Sequence, residues 1–224
     1  GKSTYRNEES GEGGYVFAKP GIYENVALLD VASMHPSSIE ALNLFGKKYT
    51  DRYRLLKEAR IAIKHNDETT LNTILDGKLK KFLERSKAGE FTLKDLSNAL
   101  KTVLVSVYGL TSARFDNPVR DKRNKDNIVA KRGALFMIDL KHALFEKGYD
   151  VAHIKTDSVK IPNATKEVID FVFEFGKKYG YDFEHETTYE KMCLVNDAVY
   201  IARDADGSWQ ATGAEFAHPY IYKQ

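Results

Sequence analysis

The sequence predicts an α+β protein in which an antiparallel sheet receives an α-helical insert. Three observations support this prediction. Two short apolar segments with strand character, 15–18 and 26–31, come first and are separated by a Pro-Gly turn. Long stretches with helical spacing follow between residues 47 and 110. Strand segments and helices then alternate up to residue 211, so strands flank the insert on both sides.

The N-terminal half is predicted to hold the first strands and the helical insert. Residues 1–13 are polar and glycine-rich, which is typical of a linker or an arm. Pro36 suits the first turn of a helix over 36–45, and Gly46 suits its end. The other helices predicted in this half are 47–65, 71–86 and 92–110. Thr92 is the predicted N-cap of the last one, with an acid three residues later.

The C-terminal half is predicted to complete the sheet. A helix over 126–147 follows a turn at 115–118. A hairpin then carries Asp157 at its tip, and a helix over 166–180 comes next. The predicted strands of this half are 151–155, 159–162, 192–195, 198–202 and 208–211.

The composition excludes several classes of protein. Of the 224 residues, 42% are hydrophobic and 29% are charged, as in ordinary globular domains. No apolar run approaches the ~20 residues of a membrane span, and the N-terminus lacks a signal-peptide core. The single cysteine, Cys193, excludes an internal disulfide framework and a cysteine zinc cluster, so a reducing, cytoplasmic setting is expected. The glycines show no phosphate-loop spacing, which leaves a kinase or a dinucleotide-binding protein without support.

Two aspartates are candidate metal ligands. Asp30 ends an apolar strand segment, and Asp157 lies at the tip of the predicted hairpin. If a sheet brings these carboxylates side by side, they repel each other unless divalent cations bridge them. Two-metal phosphoryl-transfer sites hold their ions ~3.5–4 Å apart on such pairs, and Mg²⁺ is expected because it prefers oxygen ligands. The alternative, which spacing alone favours, is that each aspartate caps a turn or a helix start.

The helical insert offers cations for a phosphate ligand. Arg60 and Lys64 lie four residues apart on one helix face, where like charges cost ~0.2–0.5 kcal/mol unless an anion lies between them. On the helix over 92–110, Lys101, Val105 and Tyr108 share a face that could hold a phosphate at one end and a base at the other. The alternative is a solvated basic face with Tyr108 in the core, and these residues alone favour it.

Three motifs, taken together and in order, resemble the polymerase module of family B DNA polymerases, particularly the phage-type members. The family's first palm motif, D-x-x-S-L-Y-P-S, is matched by D-V-A-S-M-H-P-S at residues 30–37. Its fingers motif, K-x-x-x-N-S-x-Y-G, is matched by K-T-V-L-V-S-V-Y-G at 101–109. Its second palm motif, Y-x-D-T-D-S, is matched by H-I-K-T-D-S at 153–158. The resemblance spans roughly residues 13–203, and the shared order of the motifs argues against chance.

The resemblance implies template-directed DNA synthesis, in which a nucleotide passes from a dNTP to a primer 3′-hydroxyl with release of pyrophosphate. Asp30 and Asp157 would hold two Mg²⁺ ions with help from the Val31 carbonyl, and Mn²⁺ could substitute. Lys101 would also donate a proton to pyrophosphate. The residues implied to bind the dNTP are Arg60, Lys64, Lys101, Ser33, Met34, His35, Val105, Tyr108 and Gly109.

The sequence departs from the family pattern at several positions. His35 replaces the tyrosine that stacks under the sugar, which puts discrimination against ribonucleotides in doubt. Lys155 replaces the first aspartate of D-T-D, and Val105 replaces an asparagine. Asp197 and Ala198 replace basic residues of the primer-contacting strand. These departures motivate an alternative, a non-catalytic nucleic-acid-binding palm relic; another palm-type nucleotidyltransferase is disfavoured by the fingers motif.

The resemblance also implies a domain arrangement and partners. Residues 14–46 and 114–205 would form the palm, 47–113 the fingers, and 206–224 the end of the palm leading toward a thumb. Primer–template DNA and deoxynucleoside triphosphates are the expected partners. Exonuclease and thumb domains are expected in a longer parent chain, so the isolated piece is expected to be weak or inactive and to bind DNA poorly. If the parent is phage-encoded, the host cytoplasm is the expected compartment.

Overall fold

The computed structural model describes residues 4–11, 13–44, 46–111 and 128–213, and for 47–49 and 107–111 this description covers the backbone alone. The chain divides into two compact units. Residues 1–32 and 130–224 form what we call the sheet unit, and 33–129 form the helical unit. The predicted α+β class, with an antiparallel sheet and a helical insert, is confirmed.

The sheet unit is built on seven antiparallel strands in the order β3-β5-β6-β4-β7-β8-β9. The strands are β3 (Val16–Ala18), β4 (Gly21–Val31), β5 (His153–Lys155), β6 (Ser158–Ile161), β7 (Phe183–Leu194), β8 (Tyr200–Arg203) and β9 (Trp209–Thr212). β4 lies at the centre and pairs with β6 and β7. β7 is much longer than the predicted strand over 192–195, because its polar first half pairs with β4 and is ordered by that partner.

Two helices of the sheet unit pack their aromatic side chains together. They are α6 (Ile128–Glu146), whose first two residues belong to the helical unit, and α7 (Lys166–Lys178). The Phe136 ring lies 5.7 Å from Phe175 on α7 and 6.0 Å from Phe183 on β7. Gly176 allows the close approach of α7 to β7, because a Cβ there would lie 2.7 Å from the Phe183 ring. The predicted turn at 115–118 lies outside the described residues.

The N-terminal residues contain regular structure where an irregular linker or arm was expected. β1 (Thr4–Tyr5) and β2 (Glu8–Glu9) form a two-stranded ribbon. Side chains of α6 hold it, since the Tyr5 hydroxyl donates to Asp139 at 3.0 Å and Lys141 donates to Glu8. These contacts could not be predicted from local patterns, because they join residues more than 130 positions apart.

The helical unit contains the helices α1 (Met34–Leu42), α2 (Gly46–Lys64), α3 (Glu68–Thr73), α4 (Lys80–Lys87) and α5 (Leu93–Thr111), with a 3-10 turn at Ile74–Gly77. α2 and α5 pack side by side, and the Tyr53 hydroxyl donates to the Leu104 carbonyl at 3.0 Å. Ile39 of α1 packs into the same core, and a 2.6 Å ion pair joins Lys57 of α2 to Glu40 of α1. Through this packing, residues 33–46 belong to the same compact unit as the longer helices.

The second half of the helical unit differs from the prediction at one place. The single helix expected over 71–86 is divided, because Leu75 and Asp76 adopt left-handed conformations with φ of 55° and 56°. The predicted N-cap is confirmed: the Asp95 N–H donates to the Thr92 hydroxyl at 3.1 Å, and the Thr92 N–H donates to the Asp95 carboxylate at 3.0 Å. This reciprocal pair is a capping box that fixes the start of α5.

Candidate metal centre and phosphate-binding residues

Asp30 lies at the end of the central strand, next to acidic and polar partners. It is the penultimate residue of β4 and is half-buried. In the sheet register it pairs with Ser158 of β6 on one side and with Glu184 of β7 on the other. Directly paired residues of antiparallel strands point to the same face, so Asp30 and Glu184 share one face of the sheet.

Asp157 lies in the turn that joins β5 to β6. The turn has two residues, Thr156 and Asp157, and Thr156 adopts a φ of 55° that closes it tightly. The Val31 N–H donates to the Asp157 carbonyl at 2.8 Å, so the main chain of Asp157 lies directly against the end of β4. The two aspartates singled out from the sequence are therefore on adjacent chain segments at one end of the sheet.

The carboxylate group that could hold a metal ion contains two glutamates that sequence reasoning missed. Ligand oxygens of Asp30, Glu184 and Glu186 lie within 4.8 Å of one another. Among the described residues this is the only such group, and Asp157 is not a member of it. Three carboxylates form a set of hard oxygen donors that fits Mg²⁺ or Mn²⁺.

A β-bulge brings Glu186 into this group. The register of β4 with β7 shifts between Leu28 and Leu29, which pair with Thr187 and His185 respectively, so Glu186 is an extra residue on β7. A bulge of this kind redirects a side chain locally. A strand predicted from residue 183 onward would have placed Glu184 beside Asp30, but the polar run E-H-E-T-T carries no apolar alternation that predicts one.

The helical unit places Ser33 and the start of α1 together with Arg60. Ser33 precedes α1 in a left-handed conformation with φ of 54° and ψ of 59°. Arg60 Nη1 donates to the Ser33 hydroxyl at 3.3 Å, and Arg60 is half-buried. Met34 is buried, and His35 is half-buried at the first turn of α1. A guanidinium beside the N–H groups of a helix start is a suitable arrangement for an anion.

The other predicted dNTP-binding residues lie on α2 and α5. Lys64 is exposed at the end of α2, one turn beyond Arg60. Lys101 is exposed on α5, and Val105, one turn farther on, is 59% exposed. The side chain of Tyr108 lies outside the described residues, as does the surrounding of Gly109, although both belong to the helical backbone of α5.

The helix pair that carries these cations is fixed by apolar contacts. Ala59 and Ile63 of α2 share a buried cluster with Leu100 of α5. Arg60 and Lys101 each follow a member of this cluster, so both lie along the same part of the α2–α5 pair. An exposed lysine and an exposed valine on α5 do not by themselves indicate a ligand, because a solvated helix face has the same composition.

Comparisons with known proteins agree with this fold. No protein-family model matches the chain, and no curated protein matches it. Among solved structures, it is similar to the family B DNA polymerase from the hyperthermophilic archaeon Pyrobaculum calidifontis, with a TM-score of 0.58 and 17% sequence identity. The match covers 88% of this chain and 28% of that polymerase. In the described part of the chain, no helix has the length and apolar character needed to cross a membrane. The chain therefore shares its fold with about a quarter of a family B DNA polymerase.

Proposed function

We propose that this chain is the palm and fingers part of a family B DNA polymerase of the phage type, which transfers a nucleotide from a dNTP to a primer 3′-hydroxyl and releases pyrophosphate. The observation that carries the proposal is the hydrogen bond from the Val31 N–H to the Asp157 carbonyl, which joins the chain segments of Asp30 and Asp157 at one end of the sheet. The order of the three sequence motifs and the similarity of fold support it.

The proposed metal ligands are Asp30, Asp157 and the Val31 carbonyl, with Glu184 and Glu186 as further carboxylates near Asp30. Mg²⁺ ions held by these residues would supply charge that lowers the pKa of the attacking hydroxyl and neutralises the phosphates. Asp30 and Glu184 lie on the same row of the sheet, so a bound cation would also relieve the repulsion between them.

The proposed roles of the helical unit concern the triphosphate. Arg60, Lys64 and Lys101 would bind its phosphates, and the N–H groups from Ser33 to His35 would donate to the same oxygens. The contact between Arg60 and Ser33 supports this assignment, because it orients the guanidinium toward the start of α1. Lys101 would then protonate the departing pyrophosphate, and Val105, Tyr108 and Gly109 would line the nascent base pair.

Metal binding and primer extension test the proposal together. The chain and its Asp30→Asn and Asp157→Asn variants are titrated with Mn²⁺, followed by electron paramagnetic resonance, and are assayed for extension of a primed template at high protein concentration. Each variant is expected to weaken Mn²⁺ binding by about tenfold or more and to abolish extension, because each removes a charged ligand. Asp170→Asn on α7 is the matched control, since Asp170 is exposed and pairs with Lys166 along its own helix.

Two outcomes would count against the proposal. If Mn²⁺ binds equally well to both variants and to the parent chain, the aspartates are not its ligands. If the chain binds DNA and Mn²⁺ but neither it nor the parent-length protein extends a primer, the non-catalytic relic is supported. The position of Asp157 outside the group of three carboxylates is the observation that favours this second candidate.

A further inference from the structure

His153 and Lys160 form a buried polar pair at the base of the β5–β6 hairpin. They are direct partners in the antiparallel register, and only 1% and 4% of their surfaces are exposed. Lys160 Nζ lies 3.0 Å from His153 Nδ1 and 4.4 Å from the centroid of the Tyr200 ring. The partner that accepts a hydrogen bond from this buried ammonium is thus an imidazole.

The hydrogen bonds of His153 determine its tautomer. Its Nε2 lies 2.8 Å from the carbonyl oxygen of Asp197. Because a carbonyl can only accept, Nε2 carries the proton and donates it, and Nδ1 is the acceptor for Lys160. The imidazole is therefore neutral, and burial, together with the charge of Lys160, lowers the pKa of His153 to about 4.

Asp197 belongs to a turn that has its own hydrogen bonds. In this connection between β7 and β8, the Val195 N–H donates to the Val199 carbonyl at 2.9 Å. The Asn196 side-chain oxygen accepts from the N–H groups of Ala198 and Val199, each at 2.9 Å. A turn held in this way offers a fixed point for the hydrogen bond from His153.

The other end of the same hairpin carries Asp157. The pair Lys155 and Ser158 closes the turn, and His153 and Lys160 form the next pair on the same face. At the tip, the Thr156 N–H donates to the Tyr15 carbonyl at 2.9 Å, and the Asp157 carbonyl accepts from the Val31 N–H at 2.8 Å. A change in the tilt of the hairpin would disturb these bonds, because they depend on both distance and angle.

We propose that His153 and Lys160 are positioning residues for the metal site, because they hold the hairpin at the angle that brings Asp157 to the end of β4. This inference rests on the proposed function, in which Asp157 is a metal ligand. An apolar pair of equal volume would fill the same space, but it would not fix a direction, since packing lacks the angular dependence of a hydrogen bond. Residues that orient metal ligands typically change metal affinity by 10–100-fold when they are replaced.

The test uses four variants of the whole chain and Mn²⁺ alone as the probe. His153→Gln keeps one donor and one acceptor, whereas His153→Leu removes both and leaves Lys160 buried without its acceptor. The double variant, His153→Leu with Lys160→Met, replaces the pair by apolar side chains. Lys191→Met is the matched control, because Lys191 lies in the same sheet but is about 40% exposed. The measurements are Mn²⁺ affinity, amide hydrogen exchange at Val31, and the thermal midpoint in the presence of a chelator.

We expect the double variant to separate positioning from stability. Its thermal midpoint should be close to that of the parent chain, because buried polar pairs can be exchanged for apolar ones at little cost. Its Mn²⁺ affinity should remain about tenfold weaker, and exchange at Val31 should be faster. His153→Gln should bind Mn²⁺ within about twofold of the parent chain, since it conserves both hydrogen bonds.

Normal Mn²⁺ affinity and normal protection of Val31 in the double variant would overturn the inference, since the pair would then only fill the core. Asp157→Asn checks the premise separately. If that variant binds Mn²⁺ as the parent chain does, the proposed function fails, and exchange at Val31 alone decides whether the pair positions the hairpin.

Discussion

Two buried lysines of the sheet unit have very different partners. Lys141 on α6 is 6% exposed and donates to the Glu8 carboxylate and, at 2.7 Å, to the Tyr15 hydroxyl. Lys160 on β6 is 4% exposed, and its acceptor is the neutral imidazole of His153. The aromatic faces of Phe17 and Tyr200 lie about equally close to the two ammonium groups, at 4.3 and 4.4 Å. The two sites therefore differ chiefly in whether an anion is present.

The difference appears in the titration of the two sites. Burial raises the pKa of Glu8, but hydrogen bonds from Lys141, Tyr15 and His142 outweigh it and hold that pKa below its usual range. Burial, with a smaller contribution from the charge of Lys155, lowers the pKa of Lys160 to about 8. A carboxylate compensates a buried ammonium, whereas an imidazole and a ring do so only in part. We infer that the Lys141 site stabilises the fold, whereas the Lys160 site lowers stability but fixes the direction of the hairpin.

The largest expected effect is at the ion pair. Glu8→Gln leaves the Lys141 charge buried without its anion, and should lower the free energy of unfolding by about 3 kcal/mol, as is usual when one partner of a buried pair is removed. Urea unfolding at pH 7 measures this change. Glu174→Gln on α7 is the control, because Glu174 is exposed, and it should change stability by less than about 0.5 kcal/mol. Equal effects of the two variants would mean that the ribbon is not held by this pair.

The acidic site shows how far the sequence could predict the arrangement. Asp30 and Asp157 could be selected as candidate ligands because each ends or joins an apolar strand segment within a motif that resembles a known family. Glu184 and Glu186 could not, because they lie in a polar run that becomes a strand only through its partner β4, and a bulge sets the position of Glu186. A pairing between strands some 150 residues apart leaves no local periodicity to detect.

The fold shows the same limit in another form. The helices α2 and α5 and the N-cap at Thr92 were predicted correctly, since each depends on residues within a few positions. The ribbon at Thr4–Glu9 was not predicted, because it depends on contacts with α6. The ion pair that joins α1 to α2 also lies beyond local patterns, because Glu40 and Lys57 are far apart in the sequence. The contact between Arg60 and Ser33 likewise joins residues 27 positions apart.

An intermediate effect is expected from the titration of His153. Its pKa is about 4 in the fold, below the ordinary value of 6.5, because of burial and the neighbouring charges of Lys160 and Lys155. As the pH falls from 6.5 to 4, His153 binds a proton in the unfolded chain but not in the folded chain, so stability is lost in this window. From pH 7 to pH 4.5 this loss should amount to about 2 kcal/mol.

His153→Gln isolates this contribution, because glutamine retains a donor and an acceptor but does not titrate. The free energy of unfolding of the variant, measured against urea at several pH values, should fall less steeply than that of the parent chain over the same window. Other acid-sensitive groups, such as the pair of Glu8 and Lys141, contribute equally to both proteins, so they do not affect the difference between the two pH profiles. Parallel pH profiles would contradict a neutral, buried His153.

The smallest effect at neutral pH is expected for Lys160→Met. Removing this charge relieves the cost of its burial but leaves His153 Nδ1 without its donor, so the two contributions should offset each other to within about 1 kcal/mol. The effect of Lys160→Met on the free energy of unfolding depends on pH. The pKa of Lys160 is about 8 in the fold and 10.5 ordinarily, so between these values the unfolded chain holds a proton that the folded chain has lost. The contribution of Lys160 to the stability of the parent chain should therefore rise by about 2 kcal/mol between pH 8 and pH 10, and the variant should lack that rise.

Lys191→Met, which removes a half-exposed charge from the same sheet, is the control and should leave the rise intact. If Lys160→Met behaved like the Glu8 variant and lost about 3 kcal/mol at pH 7, the contrast between the two lysines would not hold, and the Lys160 site would also be a stabilising one.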